Sequence, residues 1–429
     1  KNGLFKLYGA YDQTQFKLMQ DDIDIPEGIS FQLKNKNFYS NMNYEGRLGE
    51  RWRLFAGGGY AYSRTDIAPH QDQIVSEERS YHAKLKLSKR FNSRFKLHFG
   101  AEQFITDFTE TYSSQAASTP FSLDAGFQNR LSAAYAEADL IFSRKLAVKG
   151  GLRGEYSQIF KEFTLAPRAS IAYKVGSNSQ FSLAYGNFYQ LPDAEVLKFQ
   201  PDELSSRKTE HYILNYLYSA NNRILRAELY RKSYRDLITY DTDQIAGSTD
   251  FQNNGNGYAQ GFDIFYRDNE TIKNFEYWLS YSYLDSERLY RNFPRSATPN
   301  YANAHNVSVV GKYWVENWQS QIGASLAYAS GRNYTDPNRP GFLQRQTKDY
   351  LNLSLNWAYL ISPQQILYVS VNNAIGYKNM NVYQYASTPN SEGIFDRRTL
   401  RPAADQFFFV GFFWTISEKG TDNQLDNLN

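Results

Sequence analysis

The sequence predicts an all-β chain, a transmembrane antiparallel up-and-down β-barrel of about 18 strands. Three observations carry this. Aromatic residues make up 17% of 429, with 35 Tyr and 30 Phe, yet mean hydropathy is negative. No stretch reaches the roughly 18 consecutive apolar residues that a membrane helix requires. Apolar side chains instead recur at every second position, the spacing of a strand with two unlike faces. Apolar surface spread this thinly suits strands that face lipid on one side, with aromatic girdles at the two water boundaries.

Taken in order along the chain, the alternation is explicit. Phe95, Leu97, Phe99 and Ala101 oppose Lys96, His98, Gly100 and Glu102. Leu152, Gly154 and Tyr156 oppose Arg153 and Glu155. Leu351, Leu353, Leu355 and Trp357 oppose Asn352, Ser354 and Asn356, and Leu367, Val369 and Val371 oppose Tyr368, Ser370 and Asn372. The first set of each is expected to meet lipid and the second a wet interior. A helix would need spacings of three and four, which these segments lack.

Tight turns are expected near Leu48–Gly49–Glu50, Phe91–Asn92–Ser93, Ser143–Arg144–Lys145, Gly176–Ser177–Asn178, Ala220–Asn221–Asn222, Asp268–Asn269–Glu270, Glu316–Asn317 and Ser362–Pro363–Gln364. Longer polar stretches at about 21–36, 65–78, 107–127, 190–206, 241–255, 285–303, 332–347 and 378–400, with a brief one near Ile159–Phe163, read as loops. Eight turns and nine loops give about 18 strands. Short turns belong on the periplasmic side and long loops outside the cell, so the first strand runs outward and the last returns. Residues 1–416 form the barrel in this reading, ending in the most apolar run, Phe407–Trp414, and 417–429 are a polar, disordered tail.

Zero Cys excludes a disulfide framework, a thiolate metal site and a Cys nucleophile. With 47 basic against 44 acidic residues, a nucleic-acid partner is not expected. Lys1–Asn2–Gly3 leads directly into strand-like sequence without an apolar signal core. The numbering is therefore expected to start in a mature protein or partway through a longer one.

Candidate sites are few. His70, His82, His98, His211 and His305 are dispersed, and no spacing brings them together with carboxylates, so neither metal ligation nor catalysis is expected. Gly255–Asn256–Gly257 with Gly261 brushes a phosphate-loop pattern but precedes strand-like sequence, so it reads as loop-to-strand flexibility. Gly57–Gly58–Gly59 within a strand reads as close packing or bending. Three loop groups mix aromatic rings with guanidinium: Tyr290, Arg291, Phe293 and Arg295; Arg332, Tyr334, Arg339 and Phe342; Tyr383, Tyr385, Phe395, Arg397 and Arg398. Such surfaces grip sugars, peptides or anionic chelates by stacking and bidentate hydrogen bonds. Singly, each residue also suits loop stabilisation or contact with lipopolysaccharide phosphate.

Several segments carry a family resemblance. Phe188–Tyr189–Gln190–Leu191–Pro192, Leu197, Leu204, Lys208–Tyr216 and Arg226–Ile238 follow one another in a familiar order. Gly261–Arg267, Tyr328–Tyr334 and Pro402–Ala403–Ala404 before the aromatic last strand continue it. Together, from about 180 to 416, they resemble the late-barrel region of TonB-dependent receptors, especially those of Bacteroidetes. The resemblance implies an outer-membrane barrel of 22 strands, closed by a plug that precedes it in sequence. It implies active import of a scarce nutrient bound at extracellular loops and the outer face of the plug, with energy from TonB and with neither cofactor nor enzymatic activity. The partners implied are outer-membrane lipid and lipopolysaccharide, the TonB complex acting through a plug segment outside this chain, and a surface lipoprotein as a candidate. An 18-strand count departs from 22, which is expected if plug and first strands lie outside the numbered chain. The alternative is an autonomous barrel acting as a passive porin or substrate-selective diffusion channel. A membrane-embedded enzyme and a soluble all-β binding protein are the more distant readings.

Overall fold

Alternating polarity over long segments yields 18 strands that account for most of the chain. They are β1 Gly3–Gln20, β2 Ile29–Leu48, β3 Trp52–Pro69, β4 Asp72–Arg90, β5 Phe95–Ser114 and β6 Phe121–Ile141. Then come β7 Leu146–Ser157, β8 Glu162–Lys174, β9 Ser179–Gln190, β10 Arg207–Ala220, β11 Arg223–Thr239 and β12 Gln252–Asp268. The last six are β13 Phe275–Leu289, β14 His305–Val315, β15 Ser320–Ala329, β16 Tyr350–Ser362, β17 Gln365–Asn372 and β18 Phe407–Trp414. The structure, a computed structural model, describes residues 3–69, 72–114, 120–199, 204–241 and 250–416. His70 and the tail 417–429 lie outside them.

Every strand pairs antiparallel with its neighbours in sequence, from Gly3↔Gly46 between β1 and β2 to Asn372↔Phe407 between β17 and β18. Among the described residues no pairing joins β1 to β18. The sheet nevertheless curls round: Gln384, before β18, donates to Asp22 after β1 at 2.7 Å, and the Ser387 amide donates to Asp24 at 3.1 Å.

Register sorts the side chains onto two faces as the period predicts. One row runs Gly57, Lys84, Glu102, Ala133 and Glu155, and the row beside it Gly58, Ala83, Gln103 and Ser132. The inner face is charged and self-paired. Lys84 and Arg153 meet Glu102 at 2.5 and 2.7 Å, Arg153 also meets Glu155 at 2.6 Å, and His98 meets Asp139 at 3.1 Å. The outer face exposes large apolar groups, among them Leu85, Phe99, Leu152, Tyr156, Leu355 and Trp357. Phe95, Leu97, Leu353, Val369 and Val371 are half-buried and none joins a dry centre. A buried apolar cluster of Val196, Leu204 and Ile238 sits at the loop end of β11. Among the described residues no helix is long and apolar enough to cross a membrane, which says nothing about strands.

All eight tight turns sit where the sequence places them. Asn221 and Asn222 adopt φ of 48° and 55°, and Gly49 adopts 73°, the left-handed backbone that tight hairpin turns require. Asn92 accepts from the Arg94 and Phe95 amides at 2.8 and 2.9 Å, closing its turn as an Asx motif.

The long loops are corrected. Residues expected as loop at 21–36, 65–78 and 107–127 are largely strand, because β2 begins at Ile29, β3 runs to Pro69 and β5 to Ser114. At about 3.3 Å per residue a 20-residue strand spans roughly 65 Å, far more than the 9–11 residues a bilayer needs. Above the membrane both faces of such a hairpin meet water, so its polarity no longer alternates and it reads as loop. Gly255, Gly257 and Gly261 are likewise strand residues, not a flexible linker. A Cβ on any of them would press on the carbonyl oxygens of Leu289, Glu287 or Tyr283 across the ladder.

Candidate functional site

The aromatic and arginine side chains singled out by sequence sit on three consecutive long connections at the end opposite the tight turns. We label them L7 (290–304), L8 (330–349) and L9 (373–406), with L1 (21–28) beside L9.

L7 is fixed at its root. The Arg291 amide donates to the Ile238 carbonyl at 2.6 Å, the Tyr240 amide returns a bond to the Arg291 carbonyl at 3.0 Å, and Arg288 and Ala297 exchange backbone bonds. Arg291 takes φ 54° there and lays its guanidinium 5.4 Å from the Tyr290 ring. Burial and a hydrogen bond with Tyr301 push the Tyr290 hydroxyl up to about 12, so it is neutral at physiological pH. Tyr290 packs edge-on to Phe293 at 4.7 Å, and Phe293 edge-on to Phe342 of L8 at 4.9 Å. Arg295 donates to the Phe342 carbonyl at 3.4 Å. L7 and L8 are thereby joined by an aromatic chain.

L8 and L9 each fold back on a short ladder, Asn333–Tyr334 with Arg345–Gln346 and Val382–Tyr385 with Arg397–Leu400. The two ladders meet where the Tyr334 and Tyr383 rings stand 4.9 Å apart, with the Arg397 guanidinium 4.2 Å over Tyr383. Burial pushes the Tyr385 hydroxyl up. Asn338 and Phe395 exchange bonds of 2.8 and 2.7 Å, so the tips of L8 and L9 are also tied. L1 closes the set through Asp22, whose carboxylate accepts from the Asp24 and Ile25 amides and from Gln384.

The structure therefore brings eight of the ten residues into two connected groups: Tyr290, Arg291, Phe293 and Arg295, and Tyr334, Tyr383, Tyr385 and Arg397. Arg332 and Arg339 do not join them. Arg332 is held through its backbone to Thr347, and its side chain is exposed, while Arg339 reaches only Asp336, at 3.9 Å.

Sequence reasoning missed the opposite half of the mouth. There α1, Ala194–Leu197, carries Val196 into a cluster with Leu204 and Ile238, flanked by Phe160, Tyr240 and Phe251. Lys198 anchors it by an ion pair with Glu110 and a backbone bond to Gly126. These contacts join residues from separate segments, Lys198 with Glu110 being 88 apart, and no local periodicity signals them. Also missed was Arg288, stacked 4.3 Å over Tyr234 with Tyr290 and Tyr301 at 5.9 and 5.8 Å. Of the histidines, His82 stacks on Phe104 at 4.1 Å, His211 lies 4.6 Å from Phe188 and His305 rests against Tyr281 and Tyr283. Among the described residues no three His, Asp or Glu side chains are placed to hold a metal.

Comparison with known proteins gives consistent results. The family described as TonB dependent receptor-like, beta-barrel, matches residues 2–374. No curated protein sequence matches. Among solved structures, the ferric-catecholate import receptor Fiu from Escherichia coli K12, in its closed form, is similar at 10% identity. The match covers 96% of this chain and 72% of that one, with a TM-score of 0.71. The ferric yersiniabactin uptake receptor FyuA from Yersinia pestis is similar at 10% identity, covering 97% and 68%, with a TM-score of 0.72. The siderophore receptor PiuA from Acinetobacter baumannii is similar at 12% identity, covering 96% and 72%, with a TM-score of 0.69. At such identities the likeness is one of fold.

Proposed function

The chain belongs to the TonB-dependent receptor family as a β-barrel of the bacterial outer membrane, and from that premise we propose that it imports a scarce nutrient captured at L7, L8, L9 and L1. Its family and structural neighbours are receptors and transporters, and outer-membrane nutrient import is their common ground. The finer reading is energised uptake. TonB acts through a plug in the lumen, and release follows when the plug moves.

One observation carries the capture site: the Tyr334 ring of L8 and the Tyr383 ring of L9 are preassembled with the Arg397 guanidinium. Loops held by their own backbone bonds lose little conformational entropy on binding. A face of aromatic rings beside fixed cations suits an anionic or hydroxyl-rich ligand.

A passive diffusion channel is the rival. Unpaired edges on β1 and β18 favour a larger barrel over an autonomous 18-stranded pore, since hydrocarbon leaves an open edge without partners. The test is the full-length receptor in planar bilayers and in cells. The transport reading expects a closed conductance and nutrient-limited growth that requires TonB. A steady open conductance with TonB-independent growth overturns it.

A further inference from the structure

The wall steps down where β6, of 21 residues, meets β7, β8 and β9, of 12, 13 and 12. The connection from β9 to β10, which carries α1, folds over this lower rim. Between it and the inner face of β7 and β8 lies a pocket of about 350 Å³. Three acids, Glu155, Glu162 and Asp193, line it, and no Lys, Arg or His does. Two of the three are neutralised from outside the pocket: Arg153 meets Glu155 at 2.6 Å and Arg207 meets Asp193 at 2.9 Å. Glu162 accepts from the Ser206 amide at 2.9 Å, and among the described residues no cation pairs with it. The pocket is left one positive charge short. Thr164 stands directly opposite Glu155, two residues from Glu162 on the same face. It is 8% exposed, and among the described residues its hydroxyl has no hydrogen-bond partner. A buried hydroxyl without a partner is costly, and a ligand that bonds to it removes the cost.

We propose that this pocket seats the –NH3+ group of an organic primary ammonium. Such a group brings one positive charge and three N–H donors, and the pocket offers three acceptors on one face: Glu162, the second oxygen of Glu155 and the Thr164 hydroxyl. Tyr189 lines the pocket as well, giving the ligand's carbon body a ring to lie against. A metal ion fits less well, since among the described residues no three His, Asp or Glu side chains are placed to hold one. An anionic ligand is repelled by a lining of acids without bases. The pocket thus has the opposite preference to the arginine-bearing L8–L9 site across the mouth, and the inference does not rest on that site.

The test is ligand-observed NMR on the full-length receptor in a polyoxyethylene detergent, with n-butylammonium as the probe. The proposal expects saturable binding that weakens by about tenfold or more in T164V, which keeps the volume and removes the hydroxyl. E162Q should do the same, because it removes the charge and keeps an acceptor for the Ser206 amide. A heat-dependent gel shift like that of the parent reports that each variant's barrel is intact. Tetramethylammonium has the charge without N–H donors, and n-butanol has the chain without the charge, so both should bind far more weakly. Equal binding of either one, unchanged n-butylammonium binding in T164V or E162Q, or no saturable binding at all overturns the proposal. So does glucose binding that T164V abolishes in the absence of n-butylammonium binding, which assigns the pocket to a neutral polyol. None of these readouts depends on TonB or on import, so failure of the transport reading appears separately, as an open conductance.

Discussion

Glu102 offers the sharpest test of the wall. It is 9% exposed, on β5, and takes Lys84 from β4 and Arg153 from β7 at 2.5 and 2.7 Å. Glu102→Gln keeps the volume and removes the charge. Arg153 then retains Glu155, but Lys84 retains only a distant approach to Tyr135, at 6.0 Å. Removing one member of a buried pair costs about 3–5 kcal/mol, whereas an exposed pair is worth under about 1. The Lys84 side chain is 35% exposed and that of Arg153 17%, so we expect about 2 kcal/mol. At about 2.1 cal/mol/K per residue, a chain of 429 residues or more turns that into a fall of about 2 °C or less in the heat-induced gel shift of the full-length receptor. Glu155→Gln should shift it less, because Arg153 keeps Glu102. In a double-mutant cycle, E102Q should cost less once Arg153 is already replaced. Equal shifts for E102Q and E155Q, or strict additivity, would refute the idea that the inner wall depends on internal pairing.

Three further outcomes are expected. Gly261→Val places atoms against the Tyr283 carbonyl and should cost about 3 kcal/mol or block insertion, while Gly9→Ala, with open space around it, should be silent; protease-resistant barrel in membranes reports both. Tyr334→Ala and Arg397→Ala should each weaken nutrient uptake about fivefold, the worth of one stacked cation or ring contact, whereas Arg332→Ala and Arg339→Ala should leave it within twofold. The Asp22 carboxyl is held below its ordinary 3.8, first by the Asp24 amide and also by Gln384. A depressed value contributes stability that is complete above the ordinary pKa and is lost as pH falls through the folded one. Hydrogen exchange of L1 and L9 should therefore stay unchanged down to the ordinary carboxylate range and rise only below it.

The wall was legible because a membrane imposes one rule on every strand. Lipid on one face and water on the other force a two-residue period, and Leu152 against Arg153 reports it without any partner in view. The turns were legible for a similar reason, since Asn221–Asn222 and Gly49 are the residue types that positive φ selects. Above the membrane the rule lapses. The outer parts of β2 and β5 have water on both sides, so their polarity cannot be told from loop. The site was half legible. Residue type identified Tyr334, Tyr383 and Arg397, but which rings meet depends on where loops 50 residues apart fold back. Arg332 and Arg339 share the composition of their neighbours and not their contacts. The Val196, Leu204 and Ile238 cluster gave no signal, because three apolar residues in three polar segments have no period.

The two ends of the sheet carry the last constraint. β1 is 18 residues long and β18 only 8. Closing one directly on the other would leave about ten residues of β1 without a ladder partner, and the part within hydrocarbon would lose several kcal/mol per unsatisfied group. β1 is moreover exposed almost throughout on both of its faces, although β2 and β3 beside it are not. A strand of that length and exposure suits a neighbour of its own length, and we propose that strands matching β1, rather than β18, complete the wall. Complementing membranes with a separately expressed hairpin that pairs with β1 should then restore SDS resistance to the 429-residue chain. Full resistance of the chain by itself would show that β1 and β18 can seal the wall alone.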